Sequence, residues 1–431
     1  MIRSILTPVK RLVRPGGASL KRAPPLSDGR ASVGIAVANS EADRSASLAD
    51  RTRWIWMPGI LFAISRLGMI LAVYLGSVLL PESSSPPPYH LRGTESLLLD
   101  VFGSRWDAGF FVSIAEEGYR FEGVPLPSVP FFPLLPLLMR ALTPITGDAV
   151  VSGILVSNLA LFLAMAVFYK LAALEQKNGF ADRAVWYTLI FPAAFFGAAV
   201  YSESLFLLGA IGALYSARKG YWELAALLGI VTTLSRFMGI IVVPMLLIEW
   251  WTQFRQKPLE ERPRRLAALA GPLSLLGLGA FMTYLWRSFG DPLAFVHGSQ
   301  AWARAPKPLW EMIGELIQAP PGGWLAGLSS GAVHVDNWID FLMLALFLAL
   351  GLVLFRQRRW SESAFVLSGV LIAGSSGLWM SQRRYMWVLF PAFLVLARWG
   401  DRPWVDRLVT ALSLIGLGIF TALFANGYWV G

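Results

Sequence analysis

One short stretch, Ser104-Arg105-Trp106-Asp107-Ala108-Gly109-Phe110-Phe111, sets a carboxylate and a guanidinium among aromatic side chains. Ile114-Ala115-Glu116-Glu117-Gly118-Tyr119 comes close behind. A carboxylate such as Asp107 can accept the proton of an attacking hydroxyl as the new bond forms. Hydrolysis of an ordinary glycoside calls for two carboxyl groups, one of which protonates a poor leaving group. A sugar leaving a phosphate calls for only one, because phosphate departs as a stable anion. The second requirement is then a cation. Arg236 and the adjacent pair Arg383-Arg384 have the right chemistry, since guanidinium forks match phosphate oxygens and keep their charge. Glu203, in Ala199-Val200-Tyr201-Ser202-Glu203-Ser204-Leu205, is a polar island able to bind sugar hydroxyls or orient an arginine. Each feature also has a plainer reading. Arg105 and Asp107 can order an interfacial loop with Trp106 as its anchor. The arginines can snorkel to lipid headgroups, and Glu203 can mark a hairpin turn.

The elements that must position these groups are membrane spans. Of 431 residues, 55% are hydrophobic and only 15% charged, where a soluble chain carries about a quarter charged. Apolar runs long enough to cross a bilayer recur from Trp54 to the C-terminus. The spacing predicts spans over 54–80, 148–172, 184–200, 203–217, 222–252, 266–287, 338–355, 363–380, 385–399 and 405–429. The stretch 222–252 is too long for one ordinary span and reads as a hairpin broken near Arg236. The expected total is 10–12 crossings of an all-α polytopic bundle.

The net charge of +10 is not a nucleic-acid signal, because Lys and Arg concentrate in the N-terminal region and in short loops between apolar runs. That is the positive-inside pattern. Residues 1–53, basic and rich in Pro, Ser, Gly and Ala, read as a disordered cytoplasmic tail without a signal peptide. Its basic character also suits attraction to anionic lipids. Residues 54–431 form the membrane domain. Placing every basic loop in the cytoplasm puts the loops 81–130 and 288–337 outside, along with the turns at Glu203, Arg236 and Arg384. This parity requires 131–147, with its early prolines, to be an amphipathic or re-entrant helix that does not cross. Arg66, inside the first span, should face the bundle interior and pair with a carboxylate.

Cysteine is absent and the histidines number three, His90, His297 and His334, which disfavours transition-metal centres. Asp148 and Asp291 could join Asp107 around a divalent ion through oxygen ligands, but no spacing indicates it. No cofactor is therefore expected with certainty. Neither a P-loop nor a dinucleotide-binding glycine motif is present. An enzyme working outside the cytoplasm has no nucleotide sugar to draw on and takes its activated group from a membrane lipid.

The ordered set of motifs resembles the PIG-V-like mannosyltransferases, a family that includes the enzyme adding the second mannose to glycosylphosphatidylinositol. The resemblance rests on Arg105-Trp106-Asp107-Ala108 with Glu116 and Gly118-Tyr119, then Phe131-Phe132-Pro133-Leu134-Leu135-Pro136 and Phe191-Pro192-Ala193. It continues through Tyr201-Ser202-Glu203-Ser204-Leu205-Phe206, Gly290-Asp291-Pro292-Leu293-Ala294-Phe295 with Gln300 and Trp302, and Arg384-Tyr385 leading to Phe390-Pro391-Ala392-Phe393. Ser235-Arg236-Phe237-Met238-Gly239 keeps the Arg and Gly of its counterpart, and the first 53 residues lie outside the pattern. The resemblance implies a GT-C-type glycosyltransferase bundle with a polyprenyl-phosphate-mannose donor, an acidic base in the first outer loop and inversion at the anomeric carbon.

The expected function is transfer of a sugar, mannose by resemblance, to a hydroxyl of a lipid or glycan acceptor at the extracytoplasmic face. Asp107 is the expected catalytic base. Arg105, Trp106, Glu116, Glu203, Arg236, Arg383, Arg384 and Tyr385 are the expected substrate-binding residues. The expected partners are the donor, the acceptor and the membrane, with no nucleic acid. The membrane would be the plasma membrane in a prokaryote and the endoplasmic reticulum in a eukaryote, with a cytoplasmic N-terminus. The competing reading is a transporter or lipid flippase. Transporters commonly show internal repeats and charges on broken helices near the midplane, whereas here the charges fall in outer loops and turns and no repeat is visible.

Overall fold

Two Phe-Pro-Ala stretches decide how the bundle is built. Pro192 and Pro391 each lack the N–H that an α-helix needs, so both helices break where they occur. The computed structural model describes residues 48–83, 96–175, 179–302, 304–320, 322–331 and 333–430, and every regular element among them is helical. The labelled helices are α1 Leu48–Leu79, α2 Leu97–Gly103, α3 Asp107–Glu117, α4 Leu134–Thr146 and α5 Ala149–Ala173. Next come α6 Gly179–Ile190, α7 Glu203–Arg218, α8 Trp222–Ser235, α9 Val242–Gln256 and α10 Leu276–Phe289. The last five are α11 Val335–Arg356, α12 Trp360–Gly374, α13 Gln382–Trp387, α14 Pro391–Trp399 and α15 Pro403–Ala425.

Six segments are long and apolar enough to cross a membrane: Arg51–Leu79, Ala149–Ala173, Phe237–Gln256, Arg265–Phe289, Val335–Arg356 and Pro403–Ala425. The protein is an integral multi-pass membrane protein. Shorter and broken helices fill the spaces between these spans. Helix α7 runs from one cluster of ion pairs at Arg218 to another at Glu203, and these clusters mark the two poles of the bundle. The first helix begins at Leu48, ahead of the expected boundary at Trp54. Residues 1–47, which hold most of the expected tail, lie outside the described residues, as does His90.

One pole is knotted by ion pairs. Glu362, 1% exposed, contacts Arg218 and Arg359. Arg359 also grips Glu175, its Nη1 lying 2.9 Å from Oε2. Glu249 accepts from Ser361 at 2.6 Å and from Gln253 at 2.9 Å. Nearby, Arg53 reaches Asp182 at 2.7 Å, and Tyr187 donates to Asp406 at 2.6 Å. These contacts tie the ends of α1, α5, α7, α9, α12 and α15 together. Arg218, Arg359 and Arg398, each from a different short basic loop, meet at Glu175 here.

The other pole is where helices stop early and expose backbone, which inside a membrane must find internal partners. Pro192 cannot donate to the carbonyl of Thr188, and the indole N–H of Trp387 takes that carbonyl at 2.8 Å. Beyond the break a 3-10 turn, Ala194–Gly197, leads to α7. Polar side chains of α5 satisfy the backbone between this turn and α7: Asn158 donates to Ala198 O at 3.0 Å and Ser157 to Tyr201 O at 3.2 Å. Close helix approach depends on glycine, as in many membrane interfaces. A Cβ on Gly209 of α7 would lie 2.5 Å from Thr232 Oγ1 of α8.

The stretch 222–252 is a hairpin. Helix α8 ends at Ser235, Arg236 is extended (φ −161°, ψ 153°), and the chain returns through a 3-10 turn into α9. The segment 131–147 forms α4, whose 13 residues reach about 20 Å at 1.5 Å per residue, short of a ~30 Å hydrocarbon core. Gly147 in the left-handed region ends α4, and Asp148 caps α5 by accepting from Val151 N at 2.9 Å.

Arg66 differs from expectation. No carboxylate partner meets it among the described residues. Its guanidinium lies 4.5 Å from the Phe62 ring centroid, with Nη1 2.9 Å from Met69 Sδ. Helical spacing accounts for this, since positions i−4 and i+3 share its face.

Breaking a buried ion pair on one side leaves an uncompensated charge and costs about 3–5 kcal/mol. Glu362→Ala is expected to lower stability on that scale by stranding Arg218 and Arg359. Thermal unfolding of the purified protein in detergent measures it, and an unchanged melting temperature would separate this cluster from stability.

Candidate active site

Asp107 is the first residue of α3, where the helix N-terminus favours negative charge. Its backbone is aimed by Trp106, which has φ 57° and ψ −129°, a conformation that side-chain-bearing residues rarely adopt. Ser381, at φ 79°, plays the same part before α13, which carries Arg384. Only three described non-glycine residues have positive φ, and these are two of them. Backbone strain of this kind persists where surrounding contacts enforce it, commonly at functional sites. The loop contacts are visible here. Arg105 binds Asp100 Oδ2 through Nε at 2.9 Å and Nη2 at 2.6 Å, and caps the end of α15 through Ala425 O at 2.5 Å. Arg140 of α4 caps α3 through Ala115 O at 2.7 Å.

Four charged residues converge from elements far apart in sequence. Arg384 donates from Nη1 to Asp107 Oδ2 at 2.7 Å, and its Nε lies 2.9 Å from Glu203 Oε1. Glu203, at the start of α7, also pairs with Arg236 from the α8–α9 turn. Glu203 is 1% exposed, and neither oxygen is engaged in a well-aligned hydrogen bond among the described residues. These are ionic contacts, held by burial rather than by directional bonding. The rings of Phe196, Tyr201, Tyr385 and Trp429 surround the Arg384 guanidinium at 5.3–5.8 Å. Charge, cation–π contact and packing leave Arg384 little freedom.

These groups line a cavity of about 790 Å³, within the usual range for ligand pockets. Trp106, Asp107, Tyr201, Glu203, Arg236, Arg304, Arg384, Tyr385 and Trp429 form its polar and aromatic floor. Phe131, Phe132, Phe237, Phe295 and Trp302 are among its apolar walls. Asp107 keeps 17% of its side chain exposed. With Oδ2 on Arg384, its other oxygen is available to a reacting hydroxyl. Three guanidiniums against two carboxylates leave the cavity one positive charge in excess. That donor set suits an anion better than a divalent cation, which would have to compete with arginine for both carboxylates.

Of the residues singled out in the sequence, Trp106, Asp107, Glu203, Arg236, Arg384 and Tyr385 meet at this cavity. Three lie elsewhere. Arg105 is turned into the loop by Asp100. Glu116 is exposed, because nine residues from Asp107 is two and a half helical turns, which puts it on the opposite face. Arg383, one residue from Arg384 and so about 100° around the helix, points into the bundle. There its Nε binds Asp340 Oδ1 at 2.7 Å, and Phe420 lies 4.6 Å away. Asp148 is a helix cap. Asp291 pairs with His297 Nδ1 at 2.6 Å, and that hydrogen bond, with one from Leu293 N, holds its carboxyl below the ordinary range. Sequence reasoning missed Arg304, although it shares the signal that marked Arg236, a cation on the side the positive-inside rule disfavours. Trp429 offered no signal at all.

Residues 61–284, just over half of the chain, match the family described as Mannosyltransferase (PIG-V). The chain belongs to this family. The matched region of this PIG-V family member carries Asp107, Glu203 and Arg236, while Arg304 and Arg384 fall beyond it. No curated protein matches the sequence. Among solved structures it is similar to the oligosaccharyltransferase AglB of Archaeoglobus fulgidus in complex with an inhibitory peptide and a dolichol-phosphate. There the TM-score is 0.38 and the identity 12%, over 85% of this chain and 56% of that one. An Archaeoglobus fulgidus oligosaccharyltransferase tethered with an acceptor peptide gives a TM-score of 0.40 at 12% identity, over 85% and 55%. The chain thus spans little more than half the length of these solved chains.

Gly239 supplies a test of the geometry. A Cβ there would overlap the Thr232 carbonyl oxygen, so Gly239→Ala must shift the turn that holds Arg236 against Glu203. Small misplacements of binding groups cost up to about 100-fold in rate. Mannosyl transfer by the variant in membranes is expected to fall by roughly 10–100-fold. Unchanged transfer would mean that the Arg236–Glu203 register is not needed.

Proposed function

We propose that this PIG-V family member moves mannose from a polyprenyl-phosphate donor to a hydroxyl of a lipid or glycan acceptor, at the extracytoplasmic face and with inversion. The observation that carries the reading is the pairing of one cavity-facing carboxylate, Asp107, with a cationic floor built from Arg384, Arg236 and Arg304. One carboxylate and an anion-binding floor are what transfer from a sugar phosphate needs, as distinct from the two free carboxylates of glycoside hydrolysis.

In this mechanism the acceptor oxygen attacks C1 of the mannose from the face opposite the phosphate. Asp107 takes the hydroxyl proton as the new C–O bond forms. The bond from C1 to the phosphate oxygen breaks, and its electron pair leaves on the polyprenyl phosphate. The guanidiniums stabilise that growing negative charge in a cavity shielded from bulk water, where fixed charges act most strongly. Glu203 is a positioning residue: it holds Arg384 and Arg236 in place without touching the reacting atoms. The GT-C arrangement implied by the sequence resemblance agrees with this assignment of the base to the first outer loop. The clustering of basic loops at the pole opposite the cavity supports an outward-facing site under the positive-inside rule.

The test uses purified protein in lipid with radiolabelled polyprenyl-phosphate-mannose, and membrane lipids of the source cell as acceptors. Wild type is expected to move label to an acceptor, and Asp107→Asn, folded as judged by melting temperature, to lose about 10²–10⁴-fold in kcat. Undiminished transfer by the variant would remove Asp107 as the base. Success only with polyprenyl-phosphate-glucose or -arabinose would keep the mechanism and discard mannose. Vesicle uptake or lipid scrambling without transfer would favour a transporter or flippase.

Glu203→Gln separates holding from chemistry. The amide keeps the shape but not the charge, so Arg236 and Arg384 lose their common anchor. The expected result is a kcat lowered by roughly 10–100-fold with an unchanged slope of rate against acceptor acidity. A wild-type rate would show that the arginines are held well enough without it.

A further inference from the structure

We propose that Arg304 is the residue that receives the donor's phosphate, and that an apolar window beside it admits the prenyl chain sideways from the bilayer. This rests on the function proposed above and assigns the donor to one side of the cavity.

The argument starts from charge. Arg384 is committed to Asp107 and Glu203, and Arg236 to Glu203. Arg304 has no carboxylate partner among the described residues. Its directed side-chain contact is a 3.4 Å hydrogen bond from Nη2 to Ser381 Oγ, on the residue that aims α13. It shares the Tyr385 ring with the other two: Arg236, Arg304 and Arg384 lie 5.4, 5.6 and 5.7 Å from that centroid. Three guanidiniums around one ring, with two carboxylates between them, leave one charge for a ligand to neutralise. A phosphodiester carries one negative charge, and the phosphomonoester it becomes on losing mannose carries up to two. A cation placed there therefore binds more strongly as the leaving group departs, which is the condition for accelerating the step.

Position agrees with charge. The segment bearing Arg304 is pinned to the end of α12: Lys307 N donates to Ser375 O at 3.2 Å, and Gly377, at φ 81°, packs its Cα against the Ala305 carbonyl with no room for a Cβ. Phe237, Val296 and Met380 line the cavity and yet are 42%, 39% and 38% exposed. The wall there is apolar and open. Phe237 directly follows Arg236, and Met380 directly precedes Ser381, so the chain neighbours of the phosphate-binding groups make the opening. A polyprenyl phosphate has this combination of one anionic group and a long apolar tail.

The experiment measures binding apart from transfer, with full-length protein in nanodiscs and undecaprenyl phosphate as the probe, read by native mass spectrometry. Arg304→Gln is expected to weaken binding at least tenfold and to raise the donor KM, with Arg304→Lys recovering part of the loss. Lys307→Gln, three residues away and paired with Glu315, should bind as wild type and controls for loop charge in general. Phe237→Ala should weaken the lipid but not competing inorganic phosphate. Wild-type affinity in a folded Arg304→Gln protein that still transfers mannose overturns the assignment while leaving the function standing. Equal displacement by inorganic phosphate in wild type and Phe237→Ala overturns the window. A wild type that neither binds nor uses any polyprenyl phosphate overturns the function itself, and this assignment with it.

Discussion

A single buried carboxylate holds the cavity end of this protein together. Glu203 has almost no exposure to solvent and contacts two guanidiniums from different parts of the chain. Placing a lone carboxylate in a low-dielectric interior is costly, and only opposite charge at contact distance offsets it. Two arginines more than offset it, and the surplus extends to Asp107 through Arg384. The order of charges along this chain is therefore cation, anion, cation, anion. Without Glu203 in the middle, Arg236 and Arg384 would repel one another across the cavity floor.

That arrangement requires backbone to stop inside the membrane domain, which helices resist. At Pro192 the chain meets the requirement with donors from neighbouring elements. Pro192 frees the Thr188 carbonyl, and Trp387 takes it; Asn158 and Ser157 of α5 serve the turn before α7. Trp387 itself sits just before the second Phe-Pro-Ala break, so the second broken helix repairs the first. Phe191 of the first motif packs at 5.5 Å on Phe393, the residue after the second. Polar side chains within apolar spans, which look anomalous in isolation, are here the partners of interrupted backbone.

Much of this was legible in the sequence because the signals are collective. Span positions, the break at Arg236 and the shared side of Glu203, Arg236 and Arg384 all come from hydropathy and the distribution of basic residues. The individual directions of side chains did not. Arg383 and Arg384 are indistinguishable as neighbours in sequence, yet the helix turns one to Asp340 and the other to Asp107. Asp100, five residues before Arg105, was not recognised as its partner, and Arg66 found Phe62 and Met69 instead of an acid. Arg304 carried the same topological mark as Arg236 but sat in a long loop, where a cation needs no explanation. Trp429 reaches the cavity only because α15 returns beside α2 and α3, a tertiary fact with no local trace.

Helix α7 joins the two poles. Its first residue is Glu203 and its last is Arg218, and each is locked into a different set of ion pairs. Sixteen residues of helix make a strut about 24 Å long. Neither end can slide or rotate without separating buried opposite charges. The strut is therefore a fixed post, clamped by opposite charges at both ends. The stretch carrying Trp302 and Arg304 is built differently, with no helix longer than eight residues among the described residues between Ala294 and Ser330. Two walls of one cavity are thus built on opposite plans, one stiffened by charge at both ends and the other jointed from short pieces.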